Sequence, residues 1–190
     1  MSFFLNDIAL YKLVKPFELG EKTNIFPACL LDKNKKATSF ENAFSVASWG
    51  STKNIEVMPG EHANGRQATR DESESPRVIV YSNQTKLLKT KLTPADPSDY
   101  VKYGFKAEQH ILAHSENSSL CDRDKGSPLS ASHDGKAYVV GIMTVAFFSG
   151  NDAAADEHHC HSNSFSVSTP IQNYLDWISS YVGDEVCLLS

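Results

Sequence analysis

The chain has 190 residues, 41% hydrophobic, 22% charged and 10% aromatic, the make-up of one globular domain. Its formal net charge of −5 argues against a nucleic-acid partner, which would meet a basic face. No apolar run reaches the roughly 18 residues of a membrane helix, and Met1–Leu5 is too short for a secretory signal, so no membrane partner is expected and a secreted protein would carry its targeting segment outside this chain.

In chain order, Asp7–Val14 (DIALYKLV) reads as a weakly alternating strand and Asn42–Trp49 (NAFSVASW) as a clearer one. Lys53–Pro76 has no periodicity and contains EHANGRQATRDESESP, so it reads as a polar loop. Arg77–Tyr81 (RVIVY) and Ala137–Phe148 (AYVVGIMTVAFF) are rich in β-branched and aromatic residues and read as strands. Ser149–His161 is a second polar loop. Near the end, Thr169 is placed to cap a helix and Pro170 to occupy its first position. Ile171, Tyr174, Leu175 and Ile178 then recur at helical spacing, with Trp177 at the edge of that face. Short strands between polar loops, closed by one amphipathic helix, predict an all-β barrel or sandwich against which the helix docks.

The four cysteines, Cys29, Cys121, Cys160 and Cys187, match no zinc-finger spacing and include no C-x-x-C. The cluster Asp152, Asp156, Glu157, His158, His159 and His161 carries metal-binding residue types. Its histidines lack the i, i+4 spacing that aims two rings at one ion, so a solvated loop is the expected reading and no metal is predicted. Nothing in the sequence implies a cofactor.

The chemically informative segment is Cys121–Leu129, CDRDKGSPL. It resembles the C-x-G-D-S-G-G-P-L signature around the nucleophile of trypsin-like (chymotrypsin-fold, peptidase S1) serine proteases. Cys121, Asp124, Gly126, Pro128 and Leu129 fall in register. Other landmarks follow in the family's order: NDIAL at Asn6–Leu10 is similar to the segment of the catalytic aspartate, FPACL at Phe26–Leu30 to the crossing between barrels, and VASWG at Val46–Gly50 to V-A-G-W-G. VGIMTVA at Val140–Ala146 resembles V-G-I-V-S-W-G, and YLDWI at Tyr174–Ile178 the start of the terminal helix. The resemblance implies two β-barrels with an active site between them. This chain would hold a remnant of the first (residues 1–15), a linker and complete second barrel (16–168), the terminal helix (169–182) and a tail (184–190).

Acyl transfer by this family needs a hydroxyl nucleophile, a base, a group that orients the base, and oxyanion donors. By resemblance Asp7 is the orienting carboxylate, but all seven histidines follow it, from His62 to His161, and none matches the base. Lys125 stands at the nucleophile position and offers no hydroxyl. Ser127 lies two residues further on and is not expected to face the same cleft. Arg123 stands at the oxyanion-hole glycine, where it resists backbone angles that glycine permits. In the specificity pocket, Ser119 occupies the position that carries aspartate in members with a basic preference. Thr144, Val145 and Ala146 replace the substrate-pairing S-W-G, and Ser166 a wall glycine. Asp124 is kept; in active members it pairs with the amine created by activation cleavage, and here Lys125 or Arg123 is the expected neutralising partner.

The resemblance also implies a Cys121–Cys160 disulfide beside the pocket. Leu112 stands where a second bridge would place a cysteine. Cys29 resembles a propeptide-tethering cysteine; it and Cys187 could pair with each other, stay free or bond another chain. The expected function is that of a catalytically inactive, extracellular protease homologue with protein partners: a protease, an inhibitor or a protease substrate. The alternative is a divergent serine endopeptidase whose first barrel and histidine lie outside this chain. A structural reading of Asp7 as a buried aspartate at the barrel junction stands beside the functional one.

Overall fold

The computed structural model describes residues 5–32, 34, 44–50, 55–59, 77–81, 86–115, 120, 124–148, 164–183 and 188–189. In chain order it contains β1 (Cys29–Leu31), β2 (Phe44–Ser48), β3 (Ile55–Pro59), β4 (Arg77–Tyr81), β5 (Leu88–Pro94), α1 (Pro97–Tyr103), β6 (Ile111–His114), β7 (Pro128–His133), β8 (Lys136–Phe148) and β9 (Ser164–Pro170). A 3-10 turn (Ile171–Tyr174), α2 (Leu175–Val182) and β10 (Leu188–Leu189) complete it.

The order β8-β7-β2-β5-β6-β9, with β9 pairing back onto β8, closes a six-stranded antiparallel barrel. Closure leaves no free edge among these strands. Period-2 alternation places the core. In β2, Phe44 and Val46 are buried while the residues between and after them are not. They meet Leu92, Leu129, Val140 and Met143 inside the barrel. Ile171, Leu175 and Ile178 form a second apolar layer with Ile8, Leu30, Val139 and Ile142. The terminal helix therefore docks on the sheet as its apolar face requires.

Strand β8 carries two irregularities. Its register against β9 jumps from Met143↔Ser168 to Val145↔Val167, so Thr144 is an extra, bulged residue. Against β7 the register slips between Leu129 and Ser130. Such bulges bend the strand and re-aim side chains.

Several elements depart from expectation. Asp7–Val14 forms no ladder; Tyr11 is 90% and Val14 99% exposed. Its alternation is real, but among the described residues no strand lies beside it. The start of the supposed Lys53–Pro76 loop is strand β3, paired antiparallel with β4. Thr169 does not cap the helix. It belongs to β9, and its hydroxyl meets Thr144 Oγ1 at 3.1 Å. Helix α1 is not signalled by apolar periodicity, since none of its residues is buried; Pro97 at its start and Gly104 in the left-handed region at its end delimit it. The tail contributes β10, parallel to β1, which in turn runs parallel to β8.

Leu112 is fully buried. Its backbone N–H donates to the Tyr100 phenol oxygen at 2.7 Å, tying α1 to β6. Burial raises the Tyr100 pKa above its ordinary value, opposed by the bond from Leu112. A tyrosine that holds its proton more tightly when folded contributes stability that is complete below about pH 10 and is lost as pH climbs through the folded pKa. Tyr100→Phe is expected to cost about 1–2 kcal/mol in urea melts at neutral pH, because the Leu112 N–H loses its acceptor. The same variant should show a shallower stability loss above about pH 10 than the parent protein.

Cys29 is disulfide-bonded. The three other cysteines lie outside the described residues, including the expected Cys121–Cys160 pair. The parallel register sets Leu30 beside Leu188.

Candidate functional site

Asp7 and Lys125 line one cavity of about 780 Å³. Its floor is apolar, built from Ile142, Met143, Ile171 and Ile178. These residues come from β8, the 3-10 turn and α2, so the cavity lies where the barrel, the terminal helix and the N-terminal segment meet.

The N-terminal wall is held locally. Asn6 has a positive φ of 60°, a conformation asparagine tolerates better than most residues. The Ile8 N–H donates to the Asn6 carbonyl at 2.9 Å, a tight turn centred on Asp7. Tyr174 donates its hydroxyl to Asn6 Oδ1 at 2.9 Å, and Ile8 packs in the apolar layer beneath α2. Asp7 itself is exposed. It is not a buried aspartate at a barrel junction; its flanking residues are anchored while its carboxylate is left at the cavity wall.

The opposite wall is the turn at 124–127. The Ser127 N–H donates to the Asp124 carbonyl at 3.0 Å. The Gly126 N–H donates to the Met143 carbonyl at 2.8 Å, and the Met143 N–H to the Ser127 carbonyl at 2.9 Å. These bonds fasten the turn to β8 just before the Thr144 bulge. Gly126 has a φ of +82°, which suits glycine. Lys125 is exposed, and Ser127 is partly buried and is not among the described lining residues. No histidine, serine or cysteine lines the cavity among the described residues.

Thr144 is a hydroxyl residue on the cavity wall, and it is 5% exposed. Its Oγ1 meets Thr169 Oγ1 at 3.1 Å and donates to the Ile142 carbonyl at 3.5 Å. Val145 and Ala146 follow, half-buried. Ser166 is 2% exposed, and its hydroxyl donates to the Ala113 carbonyl at 3.3 Å, within the barrel wall. Beyond it, Phe147 stacks on Phe165 at 5.6 Å and meets the Tyr103 ring edge-on at 5.0 Å. The expected site residues Ser119, Arg123, Cys121 and Cys160 lie outside the described residues, as does the acidic and histidine-rich loop. The structure thus brings Asp7, Lys125 and Thr144 to one cavity and sets Ser166 apart from it.

Asp124 is 3% exposed. Its carboxylate accepts a hydrogen bond from the Ser48 hydroxyl at the end of β2. A Cβ at Gly50 would lie 2.6 Å from Asp124 Oδ1, and Gly50 has a φ of +30°. The trace of 48–50 is therefore shaped around this carboxylate. Neither Ser48 nor Gly50 stands out as a site residue in the sequence. The available signal is the single departure of VASWG from V-A-G-W-G, at Ser48.

The sequence has counterparts among known proteins. A family model described as Trypsin matches residues 2–178. Vitamin K-dependent protein C of Oryctolagus cuniculus is 24% identical over 185 residues, covering 95% of this chain and 34% of that protein. The protein of the same description from Mus musculus is 24% identical over 184 residues, with the same coverage. A CLIP domain-containing serine protease C9 of Anopheles gambiae is 22% identical over 193 residues, covering 95% of this chain and 46% of that protein. The chain spans a third to a half of the length of these curated relatives.

Gly50→Ala is expected to lower stability by about 1–3 kcal/mol, since the new methyl meets the buried carboxylate and the backbone angle is unfavourable. A thermal melt against the parent protein measures it. Gly104→Ala, at a positive φ of 74° with open space around the new Cβ, controls for the backbone term alone, and its loss should be smaller.

Proposed function

The chain belongs to the trypsin family, and on that premise we propose that it is a catalytically inactive serine protease homologue with a binding or regulatory role. The observation that carries the reading is Lys125. By resemblance it stands at the nucleophile position, and it faces the same cavity as Asp7, the residue that matches the triad carboxylate. An ammonium group there cannot serve as the hydroxyl nucleophile of this mechanism. Loss of the nucleophile alone costs about 10⁶-fold in a protease of the same chemistry. Two further features support the reading. The lining residues include no histidine among those described, so none of them offers a base between Asp7 and the turn. The Thr144 hydroxyl is engaged with Thr169 and the Ile142 carbonyl. Arg123 at the oxyanion-hole position and Ser119, Val145, Ala146 and Ser166 at the pocket positions extend the proposal from catalysis to substrate recognition.

On this reading the partners are proteins, of the classes protease, inhibitor or protease substrate, and the setting is extracellular, as the family resemblance implies. Competition with active family members for a shared protein partner is a role that needs the fold and no turnover.

A second reading has one observation in its favour. The N-terminal segment exposes large apolar side chains, including Val14 at 99%, Phe17 at 63% and Phe26 at 63%. An apolar face of this kind is what a first barrel supplied from outside this chain would cover, and that barrel would carry a histidine. A fluorophosphonate probe, which needs an activated serine, separates the readings. Protein purified from its source is expected to remain unlabelled under conditions that fully label an active trypsin-like enzyme. Stoichiometric labelling at a serine would establish the endopeptidase reading instead.

A further inference from the structure

We propose that Ser48 is a positioning residue whose hydroxyl locks the Asp124 carboxylate and so holds the turn that presents Lys125 to the cavity. The inference concerns the turn's shape and stands whether or not the protein cleaves peptides.

Four observations converge on it. Asp124 is 3% exposed and opens the turn, so its carboxylate is taken from water at the point where the chain reverses. The Ser48 hydroxyl donates to one of its oxygens. A hydrogen bond to a charged acceptor is among the stronger neutral-donor contacts available in a protein. The two residues are 76 positions apart in the chain, so the bond couples the end of β2 to the turn before β7. Finally, β2 and β7 are themselves paired, with Val46 beside Leu129. The ladder fixes the distance between Ser48 and the turn, and the hydroxyl fixes the turn's orientation.

The backbone of Gly50 completes the seat. It approaches the carboxylate so closely that a Cβ there would fall 2.6 Å from Oδ1 and 3.2 Å from Oδ2. The carboxylate therefore lies between a hydroxyl from position 48 and a bare glycine backbone at position 50. Two residues on, the turn's own N–H of Gly126 reaches the Met143 carbonyl. A shift of Asp124 would pull on that bond and on the β8 segment that forms the cavity floor.

A carboxylate that must be met by a charge delivered from elsewhere leaves its turn conditional on that delivery. Here one partner is built into the adjoining strand of the same barrel, so the turn is held in its formed shape by the barrel's own folding. Ser48 thus makes the presentation of Lys125 and Gly126 to the cavity a constitutive feature of the fold rather than a switched one.

Amide hydrogen exchange on the full chain tests this, read at Gly126, Ser127 and Met143, with Gln109 and His110 as remote reporters bonded to the Lys106 carbonyl. In Ser48→Ala, exchange at the three turn positions is expected to accelerate about tenfold or more, with the remote pair within about twofold of the parent protein. Ser48→Thr, which keeps the hydroxyl, should return the turn positions to within about twofold. If Ser48→Ala does not melt cooperatively, Ser48→Cys, with similar volume and a weaker donor, carries the same comparison. Unchanged exchange at the turn, or equal acceleration at the turn and the remote pair, would overturn the proposal. So would failure of Ser48→Thr to protect the turn.

Discussion

The closure of β8 onto β9 is the constraint on which the rest of the molecule depends. β8 pairs with β7 on one side, β9 on the other and β1 near its start. Its inward residues Val140 and Met143 build the barrel core. Its outward residues Val139 and Ile142 carry the layer beneath the terminal helix. The β8–β9 pairing that closes the barrel carries a bulge at Thr144. Because the bulge lies beside the turn at 124–127 and on the cavity wall, the pairing that closes the sheet also borders the cleft. A single strand thus links local β-propensity, the core and the candidate site.

Under the proposed function, fold and chemistry have separated within that cleft. The cleft holds a turn fastened to β8, an aspartate on the facing segment and a hydroxyl on the bulge. On that proposal, what is altered is the chemical content of the positions: Lys125, matched to the nucleophile position by resemblance alone, supplies charge where acyl transfer needs a nucleophilic oxygen. Thr144 directs its hydroxyl to Thr169 and to its own strand. The remaining interactions support shape: Tyr174 with Asn6, Gly126 with Met143, Ser48 with Asp124. Shape without turnover is what the proposed binding role requires.

Much of this is legible in the sequence because the motifs carry it. The ordered landmarks from Asn6 to Ile178 identify the barrel and its terminal helix, and the apolar spacing of Ile171, Leu175 and Ile178 identifies the helix face that docks. Sequence reasoning fails where a local pattern needs a partner to acquire meaning. Asp7–Val14 alternates like a strand but has no ladder among the described residues. Thr169 has the side chain of a helix cap, yet tertiary pairing places it in β9 opposite Ile142 and gives its hydroxyl to Thr144. Helix α1 buries none of its residues, so no apolar period announces it. The Tyr100–Leu112 and Ser48–Asp124 bonds join residues distant in sequence, and only the folded register brings them together.

The central claim is that the trypsin-like cleft is formed but does not turn over. Its most direct test is a long incubation of the purified protein, at micromolar concentration, with a mixed peptide library read by mass spectrometry against a protein-free control. The account predicts the same peptides in both. New termini that share a residue type at the cut site, persist through repurification and disappear on Asp7→Asn would contradict it.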